Sequence, residues 1–180
     1  MSVASGLMAK TIDLRRHFPN DGDVLTADGV KAAVKAGKTT TGRYQLAVSS
    51  GAQRATQAVA CLLAGHGKAV AGGVTVDPGL RSPHESRWIE LIGQAGGDDL
   101  AAIRALDPAF VAAEAVALSG VLRRVLDGLK DGGAALVVGH SPTNEAAVLG
   151  LTGELVAPIA KGKGVRIVAD GGTFVVSPLA

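Results

Sequence analysis

The sequence has few of the residues that usually bind nucleic acids. Aromatic side chains make up only 3% of the 180 residues, which leaves almost no rings on which bases could stack. Lysines and arginines number 18 against 16 aspartates and glutamates, and the formal net charge of +2 is too small to attract a polyanion. We therefore expect no nucleic-acid partner.

Cysteine and long apolar runs are scarce as well. Cys61 is the only cysteine, which excludes an intrachain disulfide and a multi-cysteine metal site and favours a reducing compartment. No run approaches the roughly 18 apolar residues that a membrane-spanning helix needs. The segment before Lys10 has neither the basic start nor the apolar centre of a signal peptide. The sequence therefore predicts a cytoplasmic protein with no membrane partner.

Short apolar runs alternate with helical patterns along the chain. A hydrophobic fraction of 47% and a length close to that of one typical domain predict a single domain over residues 1–180. The predicted strands cover residues 11–14, 46–48, 69–76 and 134–139. Residues 80–99 show no clear period.

Helix signals lie between these strands. Predicted helices begin after Thr26 (to about residue 36), near Ala55 (until Gly65), at Asp107 and Pro108 (until Gly132), and at Ser141 and Pro142. A hairpin over residues 165–169 and 173–177 follows. This order predicts a three-layer α/β/α domain with a mainly parallel central sheet and an antiparallel C-terminal edge.

Charged and polar side chains follow three predicted strands at their carboxyl ends, where open α/β sheets bind ligands. They are Arg15 or Arg16 with His17, then Ser49, Ser50 and Arg54, then His140. Guanidinium groups match phosphate oxygens, and the free N–H groups of helix N-termini point the same way. Nearby positive charge lowers the pKa of a histidine, which keeps an imidazole neutral and nucleophilic near pH 7. The sequence therefore predicts a phosphate site in which one histidine can attack phosphorus.

Four motifs, in chain order, resemble those of the histidine phosphatase superfamily, also called the phosphoglycerate mutase-like superfamily. Its Arg-His-Gly is matched by Arg16, His17 and Phe18, with Phe where Gly is usual, and its Leu-Thr-x-x-Gly-x-x-Gln-Ala by Leu25, Thr26, Gly29 and Ala32. Its Ser-Ser-x-x-x-Arg-Ala-x-Gln-Thr motif is similar to Ser49, Ser50, Arg54, Ala55, Gln57 and Ala58. The segment with the second histidine is similar to Val137, Val138, Gly139, His140 and Pro142. The resemblance runs from about residue 12 to 149, and residues 172–178 are similar to the end of the short bacterial phosphohistidine phosphatases.

The resemblance implies a role for each matched residue. His17 would be the nucleophile that forms a phosphohistidine, while Arg16, Arg54 and His140 would hold the phosphoryl oxygens. Larger family members often carry an Asn six residues after the nucleophile. This chain has Asp23 there, and the nearby Asn20 is the candidate phosphate ligand from that loop. The resemblance implies no metal and no other cofactor.

The proton donor of the family is usually a Glu or Asp after the third strand. Glu85 is our candidate, because residues 80–85 are similar to the family's Leu-x-Glu segment, with a longer gap. Asp77 and Glu90 are the alternatives.

These roles predict a metal-independent phosphatase that hydrolyses phosphomonoesters or phosphoramidates of a small metabolite or a phosphoprotein. One alternative is a mutase, which returns the phosphoryl group to a second hydroxyl. Another is a phosphate-binding regulatory domain without turnover, which Phe18 in place of Gly favours. We expect residues 81–104 to set the substrate, and the sequence leaves the oligomeric state open.

Overall fold

The computed structural model describes residues 8–180, so most of the N-terminal segment considered for a signal peptide lies outside the described residues. The strands are β1 (Lys10–Arg16), β2 (Asn20–Asp21), β3 (Val24–Leu25), β4 (Leu46–Ser49), β5 (Val74–Val76), β6 (Ala134–Gly139), β7 (Gly164–Asp170) and β8 (Thr173–Leu179). The helices are α1 (Ala27–Thr39), α2 (Gln53–His66), α3 (Glu85–Ala95), α4 (Leu100–Leu106), α5 (Pro108–Gly128) and α6 (Thr143–Thr152). No helix within residues 8–180 is long and apolar enough to cross a membrane.

Six strands form one sheet in the order β5-β4-β6-β1-β7-β8, and β2 pairs with β3 in a separate ribbon. β5, β4, β6 and β1 are parallel, whereas β7 and β8 continue the sheet antiparallel. β6 lies between β4 and β1 with all but its first residue buried, as a central parallel strand requires. Because the parallel strands point the same way, the residues that follow β1, β4 and β6 meet at one edge of the sheet.

Helices cover both faces of this sheet. On one face α1 and α2 pack together, and Val59 and Leu62 of α2 are buried with Leu136 and Val138 of β6. On the other face α5 and α6 pack together over a core that also contains β1, and α3 and α4 extend that core. The three layers and the antiparallel edge confirm the predicted fold class.

The predicted starts of α1 and α5 are confirmed, and that of α6 is wrong by one residue. Thr26 accepts a hydrogen bond from the Gly29 N–H (3.0 Å), and Asp107 accepts one from the Phe110 N–H (3.1 Å). α6 begins at Thr143, because Pro142 takes the non-helical N-cap conformation (φ −90°, ψ 9°). The Ser141 hydroxyl does not cap the helix.

The predicted ends of several elements are wrong. α1 continues to Thr39, and α5 ends already at Gly128. The strand predicted over residues 69–76 is only Val74–Val76 (β5), because a turn at Gly73 (φ 69°) precedes it. α2 continues past Gly65 to His66, and Gly67, with φ 69°, is its C-cap. Gly65 instead permits close contact with α1, since a Cβ there would lie 2.0 Å from the Val34 carbonyl oxygen.

The segment without a clear period contains α3. Its apolar residues include the buried Trp88 and Leu91 but also the exposed Ile89, so they do not form the one buried stripe that marks a helix in a sequence.

Candidate active site

β1 and β6 place the two candidate histidines side by side. Arg16 lies opposite Gly139 in the parallel register, so His17 and His140 leave the sheet at neighbouring positions. The His17 N–H donates to the Gly139 carbonyl (3.1 Å), and the centroids of the two imidazoles are 5.3 Å apart.

Arg54 joins the two histidines. It lies in the first turn of α2, a few residues after β4. Its Nε donates to His17 Nε2 (3.3 Å), and its Nη2 donates to His140 Nδ1 (3.2 Å). The Ser50 hydroxyl lies 2.7 Å from His140 Nε2. Three strand ends thus contribute to one hydrogen-bonded group, His17, Ser50, Arg54 and His140, which we call the phosphate cluster.

The contacts of Arg54 define which ring nitrogens carry protons. A guanidinium donates hydrogen bonds and accepts none, so His17 Nε2 and His140 Nδ1 each offer it a lone pair. His17 Nδ1 therefore carries the proton and donates to the Phe18 carbonyl (2.9 Å), while His140 Nε2 donates to Ser50. A free lone pair on Nε2 is what a nucleophilic His17 needs.

Both imidazoles are neutral at pH 7. Burial lowers the pKa of His17 from 6.5 to about 4. The hydrogen bond to Phe18 opposes this shift, and the charges of Arg54 and Arg16 add to it. Burial and the charge of Arg54 lower the pKa of His140 from 6.5 to about 3. A proton on either ring would face a guanidinium in a poorly solvated place.

Asp23 is the residue of the β2–β3 loop that contacts the phosphate cluster. One of its carboxylate oxygens accepts from Arg54 Nη1 (2.8 Å), and the other accepts from the Gln53 N–H (3.1 Å). α2 has no side-chain cap at its own N-cap residue, so Asp23 both holds Arg54 and satisfies the start of the helix. The Asn20 amide donates instead to the Gly22 carbonyl (2.8 Å), within its own turn.

Of the two arginines that precede His17, it is Arg16 whose charge lowers the pKa of His17. Its Nη1 donates to Asp98 (2.8 Å), between α3 and α4, and to the Ile159 carbonyl (2.9 Å). Arg15 is 3% exposed, and its Nη1 donates to the main-chain oxygens of Gly162 and Ala180.

A buried carboxyl group supports the loops next to the cluster. Glu145 Oε1 accepts from the Ser141 hydroxyl (2.6 Å) and from the Ile159 N–H (2.7 Å). Ser141 follows His140, and the Ile159 carbonyl is a partner of Arg16. Burial raises the pKa of Glu145. No sequence pattern indicated this role, because the Ile159 loop contains none of the four motifs.

Phe18, which stands where the family usually has glycine, is buried in the core beside α2. Gly162 makes room for its ring, because a Cβ at that glycine would lie 2.8 Å from the ring carbons. Gly162 also has φ 78°, a conformation that glycine adopts without strain. The large side chain is therefore directed into the core instead of the phosphate cluster.

A cavity of about 210 Å³ opens beside Arg54 and His140. Its other walls come from α3, from the residues that precede this helix and from the start of α6. Glu85 lines the cavity, and its Oε1 accepts from Arg81 Nη2 (2.6 Å).

The two other candidate proton donors do not line this cavity. Asp77 accepts from Arg124 (2.9 Å), and Glu90 accepts from Arg87 (2.8 Å). Within residues 8–180 no three His, Cys, Asp or Glu side chains are grouped as metal ligands.

The sequence matches no protein-family model and no curated protein, whereas the fold has many counterparts among solved structures. A phosphoglycerate mutase from Bacillus anthracis str. Sterne is similar with a TM-score of 0.70 at 17% identity, over 97% of this chain and 94% of that chain. A phosphoserine phosphatase from Entamoeba histolytica, in complex with 3-phosphoglyceric acid, is similar with a TM-score of 0.69 at 16% identity, over 95% and 97% of the two chains.

The protein histidine phosphatase SixA, in complex with tungstate, is a third neighbour, with a TM-score of 0.57 at 16% identity over 94% of this chain and 96% of that chain. The chain therefore shares its fold with phosphoglycerate mutases and histidine phosphatases, which is the fold that the resemblance of its four motifs implies.

Proposed function

We propose that the chain is a phosphatase that forms a covalent phosphohistidine on His17. One observation carries the proposal: Arg54 donates to lone pairs of both His17 and His140. A neutral nucleophile and a cation that binds phosphoryl oxygens therefore face the same small volume. Solved structures of this fold include a phosphoserine phosphatase and a protein histidine phosphatase, which supports phosphatase chemistry.

In the first step His17 Nε2 attacks phosphorus. The nitrogen lone pair becomes the P–N bond, and the electron pair of the broken P–O bond goes to the leaving oxygen, which takes up one proton. Arg54 exchanges its contact with Nε2 for the phosphoryl oxygens, and Arg16 adds positive charge nearby. The Nδ1–H bond to the Phe18 carbonyl stabilises the positive charge that develops on the ring.

In the second step water attacks the phosphorus atom of the phosphohistidine. A new P–O bond forms, the P–N bond breaks with its electron pair returning to Nε2, and inorganic phosphate leaves. His17 is again neutral and ready for the next substrate.

Two groups handle protons in this scheme. Glu85, at the cavity wall, donates a proton to the leaving oxygen in the first step and takes one from the attacking water in the second. The negative charge of a bound phosphoryl group raises the pKa of His140, so His140 takes up a proton from solvent on Nδ1 as substrate binds and donates a hydrogen bond from Nδ1 to a phosphoryl oxygen.

The proposal is tested with a panel of small phosphorylated metabolites, a phosphopeptide and a phosphohistidine, assayed in excess EDTA for release of inorganic phosphate. We expect release from at least one of them, and none from His17→Ala purified in the same way, which controls for contaminating phosphatases. Isomerised phosphate esters without net release would instead show a mutase. Phosphate binding without any turnover would show a regulatory domain.

The proposed substrate is a small phosphorylated metabolite or a phosphoprotein, and the proposed location is the cytoplasm. Cell fractionation tests the location, since recovery in a membrane or secreted fraction would contradict it.

A further inference from the structure

We propose that the substrate's leaving group carries a compact apolar part, which binds against α3 beside Ile89. The inference rests on the proposed function, because it takes the phosphoryl group to lie at His17 and Arg54. It adds the chemical class of the group that is attached to the phosphoryl oxygen.

One face of α3 lines the cavity next to the phosphate cluster. Glu85, Trp88, Ile89 and Ile92 all line it, and their spacing is that of a single helix face. The charged residue is at the start of the helix, and the three apolar residues follow. The same cavity contains Arg54 and His140, so a group bonded to the phosphoryl oxygen extends along this face.

The two charged side chains at the start of α3 pair with each other. Arg81 Nε and Nη2 both donate to Glu85 Oε1 (3.1 and 2.6 Å), so their opposite charges partly cancel at this end of the cavity. The Trp88 N–H donates to Glu114 (2.9 Å), and the indole therefore offers only carbon to the cavity. Ile89, in contrast, is 70% exposed. An apolar ligand would remove this isoleucine from water.

The small size of the cavity favours a compact leaving group. Its volume of about 210 Å³ is below the roughly 300–1,000 Å³ of most small-molecule pockets. A benzyl or short alkyl group has this size. The hydroxyls of a polyhydroxylated group would lose hydrogen bonds to water where they contact Ile89 and Ile92, and these side chains offer no replacement.

The test compares two phosphonates, whose C–P bond cannot be hydrolysed, by titration calorimetry on the wild-type protein. Benzylphosphonate presents the apolar group, and 2,3-dihydroxypropylphosphonate presents hydroxyls. We expect benzylphosphonate to bind at least about tenfold more tightly, the scale of discrimination that an apolar pocket provides. Inorganic phosphate should compete with both.

Two variants show whether Ile89 is responsible. Ile89→Thr should reduce the preference by about fivefold and leave the Kd of the dihydroxypropyl compound unchanged. Val116→Thr is the matched control, because Val116 is 73% exposed on α5 and does not line this cavity, and it should leave the preference unchanged.

Equal affinities in the wild type, undetectable binding of both compounds, or an equal effect of both variants would overturn the inference. Because binding is measured without turnover, a preference for benzylphosphonate in a protein that hydrolyses nothing would contradict the proposed phosphatase and leave the apolar subsite in place.

Discussion

The two sides of the candidate active site are held in different ways. The phosphate cluster is fixed by the register of three parallel strands, and its His17 and Ser50 are 5% and 1% exposed. The α3 side is held by one helix, on which Glu85 pairs with the nearby Arg81 and Ile89 is largely exposed. Groups that perform chemistry need fixed positions, whereas groups that contact the rest of the substrate can change without disturbing the core. We therefore expect substitutions in the cluster to affect every substrate and those on α3 to affect only some.

The largest effect is expected from His17→Ala. Loss of the nucleophile should lower kcat by a factor of about 10³ or more for every substrate, while the fold is retained. Phosphate release and circular dichroism measure the two quantities. His84→Ala is the control, since its side chain is 61% exposed. If His17→Ala keeps more than about a tenth of the wild-type activity, His17 is not the nucleophile.

Arg54→Lys should have the next largest effect on the cluster. An ammonium keeps the charge but cannot donate to His17 and His140 from one planar fork. We expect phosphate to inhibit about 10- to 100-fold less strongly and kcat/KM to fall at least as far. Arg104→Lys, at an exposed position of α4, should change neither. Equal inhibition constants in wild type and Arg54→Lys would show that charge alone suffices.

Glu85→Gln tests the α3 side, where the effect should depend on the leaving group. General acid catalysis gives roughly 10²- to 10⁴-fold only where the leaving oxygen needs a proton. Alkyl phosphates should therefore lose far more kcat/KM than aryl phosphates with acidic phenols. The measurement is log kcat/KM against leaving-group pKa for wild type, Glu85→Gln and the control Glu90→Gln. If the plots for wild type and Glu85→Gln are parallel, a group other than Glu85 donates the proton to the leaving oxygen.

The buried neutral histidines also predict how stability depends on pH. The pKa of His17 is about 4 in the folded protein and about 6.5 when unfolded, so the unfolded chain binds more protons between these values. Stability therefore falls as the pH drops from about 6.5 towards 4. Urea unfolding at pH 7.5 and pH 5 should show that His17→Ala loses less stability than wild type, by about 1–2 kcal/mol. An identical loss in both proteins would mean that His17 titrates normally when folded.

Asp98→Asn should have the smallest effect, because it only changes the partner of Arg16. Removing the carboxylate that faces Arg16 Nη1 leaves more of its positive charge for phosphate, and we expect about two- to fivefold tighter phosphate inhibition. Asp127→Asn, at an exposed position of α5, controls for the change in net charge. Weaker inhibition in Asp98→Asn would show that Asp98 orients Arg16 for binding.

The strand ends of the cluster were predictable from the sequence because short apolar runs followed by charged residues mark them. β6 is an apolar run that ends directly before His140, and Thr26 and Asp107 have the residue types of helix N-caps. The long-range partners were not predictable. Asp23 contacts Arg54 31 residues later, and Asp98 contacts Arg16 82 residues earlier. Such pairs depend on how the layers of the fold pack, and a local hydrophobic pattern in the sequence does not predict them.

The most direct test of the phosphohistidine is to trap it. Wild-type protein is mixed with radiolabelled substrate, quenched in alkali before one turnover is complete, and digested for peptide mapping. We expect phosphate that is stable in alkali and released by acid, on the peptide that contains His17. Label on another residue, or no label while phosphate is being released, would contradict the account.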